Sequence, residues 1–232
     1  MKTFFTLDIK GTILAIIMAL IMLVFGILTS NFALGLFYIC VMAYFLILSA
    51  IVTETKRVYK KSIKLYQKSR GIYNVLANGL MPFIIVVLIF VFPSIKMILL
   101  VAFIASVAAV TADKFSSEIG VINGRPFSII TFKRIEKGVS GGISLLGTIA
   151  GFVGSLLISF SVFLLPLLNF NLSANILIFL FFIVLISGFA GTIIDSFLGY
   201  FEENGIGNKF TTNFICSLAG ALIALLMVLI LI

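Results

Sequence analysis

Asp113 and Asp195 each close an apolar run, the first in AVTADKFSSEIG and the second in AGTIIDSFLGYFEE, and Glu118 follows Asp113 a little over one helical turn later. If both runs are helices, each carboxylate sits at a C-terminal end, where negative charge opposes the helix macrodipole. Two such placements require compensation, which a divalent cation or a lysine from a neighbouring loop would provide. Paired carboxylates beside a phosphate are a common way to hold Mg²⁺, so Asp113, Glu118 and Asp195 are the expected metal ligands. The competing reading is of acids resting in the wet headgroup layer. The rarity of acids near membrane depth without a role weighs against it.

Between the two acidic sites runs GRPFSIITFKRIEKGVSGGISLLGTIAG. Lys133, Arg134 and Lys137 precede Gly138, Ser140, Gly141 and Gly142, where small residues let backbone amides approach a ligand and a helix start offers free N–H groups. This is the composition of a phosphate cradle. No GxxxxGK[ST] occurs, which excludes an ordinary P-loop NTPase domain. Gly147, Gly151 and Gly154 lie deeper and read as small residues for close helix packing. Two more helix starts fall on the same side, one near Asn74 and Asn78 and one in NKFTTNF, with Lys209, Thr211, Thr212 and Asn213. Each alone is an ordinary helix cap. Together they bring amide, hydroxyl and basic groups to one place, as a polyphosphate with bound metal requires.

The elements that must position these groups are membrane spans. The chain is 62% hydrophobic and 10% charged, and its apolar runs reach the roughly 20 residues that cross about 30 Å of hydrocarbon as helix. Seven spans are expected at 9–28, 32–52, 73–92, 95–112, 140–165, 174–194 and 211–232. They make one all-α polytopic membrane domain over 1–232. The third and fourth spans meet at Phe92-Pro93-Ser94, where a re-entrant hairpin is the alternative to two full crossings. Positions 55–70 are so basic that the positive-inside rule places them, and with them the N-terminus, in the cytoplasm. Cytoplasmic loops then fall at 53–72, 113–139 and 195–210. Of 16 Lys and Arg residues and 8 acids, only Lys96 lies on the outer side. Asp8, Lys10 and the lack of a small-x-small site favour a retained signal anchor over a cleaved leader.

Positions 55–70 also space Val58, Tyr59, Ile63 and Tyr66 as an amphipathic surface helix would; the basic run is expected chiefly to fix topology, with help in holding an anionic lipid substrate the alternative. Cys40 and Cys216 lie within spans, and with no histidine in the chain they read as packing residues and not zinc ligands. The net charge of +8 is loop charge facing an anionic leaflet and does not indicate nucleic acid. Aligning Asp113 with Asp195 matches Phe115 with Phe197, and Ser144 to Gly147 resembles Ser217 to Gly220. This predicts two parallel helical hairpins, spans four–five and six–seven, each with a carboxylate at its inner mouth.

VLANG at 75–79, TADKFSSEIG at 111–120, TFKRIEKGVSGGISLLGTIAG at 131–151 and IIDSFLGY at 193–200 resemble a family of integral membrane proteins of unknown function that includes the phytyl-phosphate kinase of plant tocopherol synthesis. The resemblance runs over about 5–230, with KGVSGG the most specific part. Lys114 departs from it, standing where a small or hydroxylated residue is expected. The resemblance implies phosphoryl transfer from a nucleoside triphosphate, CTP favoured, to a prenyl monophosphate at the cytoplasmic face, with Mg²⁺ as cofactor and membrane lipids as surroundings. Asp113, Glu118 and Asp195 would hold the metal, and Lys133 and Lys137 would act catalytically beside them. Asn78, Arg134, Gly138, Ser140, Gly141, Gly142, Lys209 and Asn213 would bind phosphate and nucleotide. The rival readings are a transporter, disfavoured by span interiors without ionisable residues, and a lipid-phosphate cytidylyltransferase.

Overall fold

A computed structural model describes residues 6–67, 69–122 and 125–231. Seven helices among them are long and apolar enough to cross a membrane. α1 (Ile9–Thr29) and α2 (Phe32–Glu54) form a hairpin, followed by the short α3 (Arg57–Ser62), α4 (Ile72–Val91) and α5 (Lys96–Gly120). α6 (Leu145–Ser159) continues as 3₁₀ helix to Leu168, and α7 (Ala174–Glu203) and α8 (Lys209–Leu231) complete the bundle. Two-residue strands β1 (Phe127–Ser128) and β2 (Gly142–Ile143) pair antiparallel in the α5–α6 connection.

The bundle is built around α5, whose residues are buried without interruption from Leu99 to Lys114. Its alanines leave a narrow surface, and α6, α7 and α8 each turn glycine toward it. A Cβ added at Gly154, Gly188, Gly191 or Gly220 would come within 2.6–2.9 Å of Thr111, Ala108 or Ala109 atoms. Small residues at such crossings let helices approach closely enough for dispersion to hold them where lipid removes the hydrophobic driving force. α1 is the outlying member and packs against α2 and α4.

α4 and α5 have 20 and 25 residues, about 30 and 37 Å at the α-helical rise, so both are long enough for a full crossing. The tight connection is a 3₁₀ turn, Pro93–Ile95, in which proline occupies the first helical position and forfeits no hydrogen bond. α5 and α7 extend beyond the expected 112 and 194 to Gly120 and Glu203, whereas α6 begins at Leu145 and not at 140. Asp113 and Asp195 therefore lie within helices and do not end them. The amphipathic helix expected over 55–70 is reduced to the six residues of α3. Lys60 is drawn fully inward and donates to Val52 O and Thr53 O at 3.2 and 2.5 Å, which pulls the segment off a surface path.

The two hairpins, α5–α6 and α7–α8, place Asp113 and Asp195 at one end of the bundle. Their second arms differ in depth. Ser144 is the N-cap of α6, accepting from Gly147 N at 3.1 Å, whereas Ser217 lies inside α8 and donates to Ser106 O on α5. Cys216 is buried beside Ala109 O as a packing residue, whereas Cys40, expected to pack as well, is exposed on the outer surface of α2.

Candidate active site

At the end of the bundle that carries the basic loops, a cavity of about 440 Å³ opens between α4, α5, α7, α8 and the α5–α6 connection. Asp113 and Asp195 line it from adjacent helices, nearly buried at 8% and 5% exposure, close enough for the charge of one to act on the other. Lys209 at the start of α8 approaches Asp195 Oδ2 at 3.5 Å, while Asp195 Oδ1 is buried without a partner among the described residues. Sequence left open whether Asp195 would face a metal or a lysine. The structure supplies the lysine and leaves one carboxylate oxygen unsatisfied.

Glu118 also borders the cavity, but it does not join the aspartates as a third metal ligand. Its Oε1 accepts from Thr53, Arg70 and Lys114 at 3.1, 2.7 and 2.6 Å, and its Oε2 accepts from Lys60 at 2.7 Å. Three cations and a hydroxyl take up its acceptor capacity, so Glu118 is a counter-ion that ties the basic loop to α5. No group of three or more His, Cys, Asp and Glu residues suited to a metal occurs among the described residues. The expected three-carboxylate set is thus reduced to Asp113 and Asp195. Mg²⁺ bound to a phosphate compound commonly takes only one or two protein carboxylates, so the aspartate pair with its unsatisfied oxygen still fits that ion.

The expected cations Lys133, Arg134 and Lys137 do not line the cavity. Lys133 is exposed on the connection, and Arg134 donates to Arg125 O. Lys137 donates to the Tyr59 hydroxyl at 2.8 Å and lies over its ring. The β1–β2 pairing is what turns this stretch outward. Arg70 and Lys114 take their place beside Lys209. Burial lowers Arg70 from its ordinary value, opposed by the nearby negative charge of Glu118 and then Asp113, and with so high a starting point it remains cationic. Arg70 Nε is buried and unpartnered among the described residues. From sequence, Arg70 is only one member of a basic run that fixes topology or helps hold an anionic lipid substrate, and Lys114 is only a departure from the family pattern.

The glycine-serine stretch does reach the cavity: Gly138, Ser140, Gly141 and Gly142 all line it. They form the turn and strand before α6 and not its first turn. Gly141 has φ +77°, and its backbone meets that of Gly199 on α7 so closely that a Cβ at Gly199 would stand 2.3 Å from Gly141 N. Ser140 N donates to Glu203 Oε1 at 2.7 Å, and Ser140 Oγ and Thr212 Oγ1 both donate to Glu202. The acidic end of α7 therefore seats this turn over the cavity. Across it, Asn213 Nδ2 donates to Asn78 Oδ1 at 3.3 Å and Asn78 Nδ2 donates to Asn74 O at 2.7 Å. This joins the starts of α4 and α8, with Asn213 Oδ1 left without a partner among the described residues.

The profile of a family described as Integral membrane protein DUF92 matches residues 3–220. An uncharacterized membrane protein of Methanocaldococcus jannaschii is 36% identical over 223 residues, covering 95% of this chain and 85% of the relative. The protein PGR of Arabidopsis thaliana is 28% identical over 96 residues, 40% of this chain and 33% of its own. No solved structure matches.

Proposed function

This chain belongs to the DUF92 family of integral membrane proteins, and on that premise we propose that it is a membrane-embedded kinase. It would transfer a phosphoryl group from a nucleoside triphosphate, CTP favoured, to a prenyl monophosphate. The observation that carries the reading is one cavity at the basic end of the bundle that sets the Asp113–Asp195 pair against Arg70, Lys114 and Lys209 under a glycine turn. The sequence resemblance suggests the substrate class, and the opposed carboxylates and cations support a polyphosphate with a divalent cation as the occupant.

Phosphoryl transfer relies on positioning and electrostatic stabilisation more than on covalent work by the protein. An oxygen of the prenyl phosphate attacks the terminal phosphorus of the triphosphate. The bond from that phosphorus to the bridging oxygen breaks, and the nucleoside diphosphate leaves with the electron pair. The acceptor is already ionised at neutral pH, so no strong general base is required. Asp113 and Asp195 would hold Mg²⁺, whose positive charge would offset the negative charge of the phosphates. Arg70 and Lys114 would meet the acceptor phosphate, Lys209 stands by Asp195, and the backbone of Gly138 to Gly142 would offer amides to the donor. Asn78 and Asn213 fix the spacing between α4 and α8.

The test is incubation of purified protein with Mg²⁺, several nucleoside triphosphates and prenyl monophosphates of different lengths, with products identified by mass. Prenyl diphosphate and nucleoside diphosphate are expected. Release of pyrophosphate would instead indicate nucleotidyl transfer. Uptake of labelled solute into liposomes without nucleotide, with no product formed, would indicate a transporter.

A further inference from the structure

A second cavity, apolar and about 210 Å³ in volume, lies under α1 between α2 and α4. It shares Arg70, Asn74, Asn78 and Lys114 with the polar cavity, so the two spaces meet at those four side chains. From there its walls run inward from Thr12 to Met22 on α1 and from Ser49 to Ile39 on α2. Ten residues of helix rise about 15 Å, roughly half the hydrocarbon thickness of a bilayer. At the polar end, Ser49 Oγ and Arg70 Nε are both buried without partners among the described residues. Deeper in, the lining is Met18, Met22, Met42 and Phe45, and unbranched methionines adapt to chains of varied shape.

We propose that this pocket holds the hydrocarbon chain of a single-chain phosphorylated lipid, whose phosphate is held by Arg70 and Lys114 where the two cavities meet. The inference rests on the kinase reading for the fate of that phosphate, but the pocket is argued from its own shape and charge. One end of the space is cationic and carries unsatisfied donors, and the other is apolar and of one-leaflet depth. That is the complement of an amphiphile with an anionic head and one tail. A two-chain phospholipid would need twice the apolar cross-section.

Gly79 on α4 controls the bore. A Cβ there would meet only the terminal methyls of Met18 and Met42, at 3.4 and 3.9 Å, so alanine is accommodated and a larger side chain fills the space. The experiment uses the full-length protein in nanodiscs without nucleotide, and a prenyl monophosphate carrying a diazirine at the far end of its chain. Illumination is expected to label peptides of α1 and α2 around Met22 and Ile39. Excess unlabelled prenyl monophosphate should compete, and the corresponding prenol and phosphatidate should not. Gly79→Leu should lower labelling about tenfold, the loss expected of overpacking by a few methylenes, and Gly79→Ala should leave it near the parent level. Label on α6, α7 or α8, or competition by phosphatidate equal to that by the monophosphate, would overturn the pocket assignment. Label in the pocket without phosphoryl transfer from any nucleotide would instead sink the kinase reading and leave the lipid site standing.

Discussion

At the scale of single residues, the two kinds of acid at the site have opposite tasks, and substitution separates them. Asp113 faces another carboxylate, so Asp113→Asn should abolish Mg²⁺-dependent turnover while leaving thermal stability in detergent unchanged or raised, since a like-charge contact is removed. Glu118 is surrounded by Lys60, Arg70 and Lys114, and Glu118→Gln strips the counter-charge from a nearly buried cluster. A loss of about 3 kcal/mol is expected, read as a lower unfolding midpoint than that of Asp113→Asn. Equal midpoints would return Glu118 to the metal site. Turnover should likewise divide the cations. Arg70→Ala and Lys114→Ala should raise KM for the lipid phosphate at least about tenfold, the loss of a charge-assisted hydrogen bond, whereas Lys133→Ala should change it by less than about twofold, as exposed charges do. The sequence made Asp113, Asp195, Asn78, Asn213 and the glycines at 138, 141 and 142 legible because each breaks the local pattern of its segment. Arg70 is not distinguishable from the other basic residues of its cytoplasmic run, and Lys114 is hidden because a basic residue one turn from an acid on a helix already has an ordinary explanation.

At the scale of elements, the glycine turn is held by contact between two backbones and not by side chains. Gly199 on α7 has room for no Cβ against Gly141 N, so Gly199→Ala must lift the turn away from the cavity. Loss of turnover with unchanged helical circular dichroism is expected, together with destabilisation of about 1–3 kcal/mol from overpacking. Retained activity would show that the turn does not complete the site. Span number and order were legible from hydropathy, since only helices satisfy backbone groups in lipid. Where each helix stopped was not. α5 continues through DKFSSEIG on the strength of its Lys114–Glu118 contact one turn apart, beyond the point where hydrophobicity ends. The outward path of 133–137 depends on pairing between β1 and β2, segments too short to carry a strand signal.

At the scale of the whole molecule, charge is divided between the two ends. Lys96 lies over the Phe170 ring at one end, while the ion pairs gather at the other. The positive-inside rule puts the latter in the cytoplasm. With Cys40 replaced by serine, Ser94→Cys should react with a membrane-impermeant maleimide from outside intact cells, and Asn204→Cys only after the cells are opened. The reverse pattern would invert the topology and put the cavity beyond the reach of cytoplasmic nucleotide. That Asp113 and Asp195 share one end of the bundle is legible in the sequence, and the apolar pocket under α1 is not, because its apolar lining is drawn from three helices whose sequences look uniformly apolar.

The chain just ahead of α1 bridges directly to Arg70. Asp8 N donates to Arg70 O at 3.0 Å and Arg70 N donates to Thr6 O at 2.9 Å, while Asp8 Oδ1 caps α1 through Gly11 N. The outermost helix and the guanidinium are thus one mechanical part. Any sideways parting of α1 from its neighbours strains the two hydrogen bonds that fix the arginine backbone, so in the proposed lipid site the admission of a tail from the bilayer would be geared to the placing of the charge that greets its head.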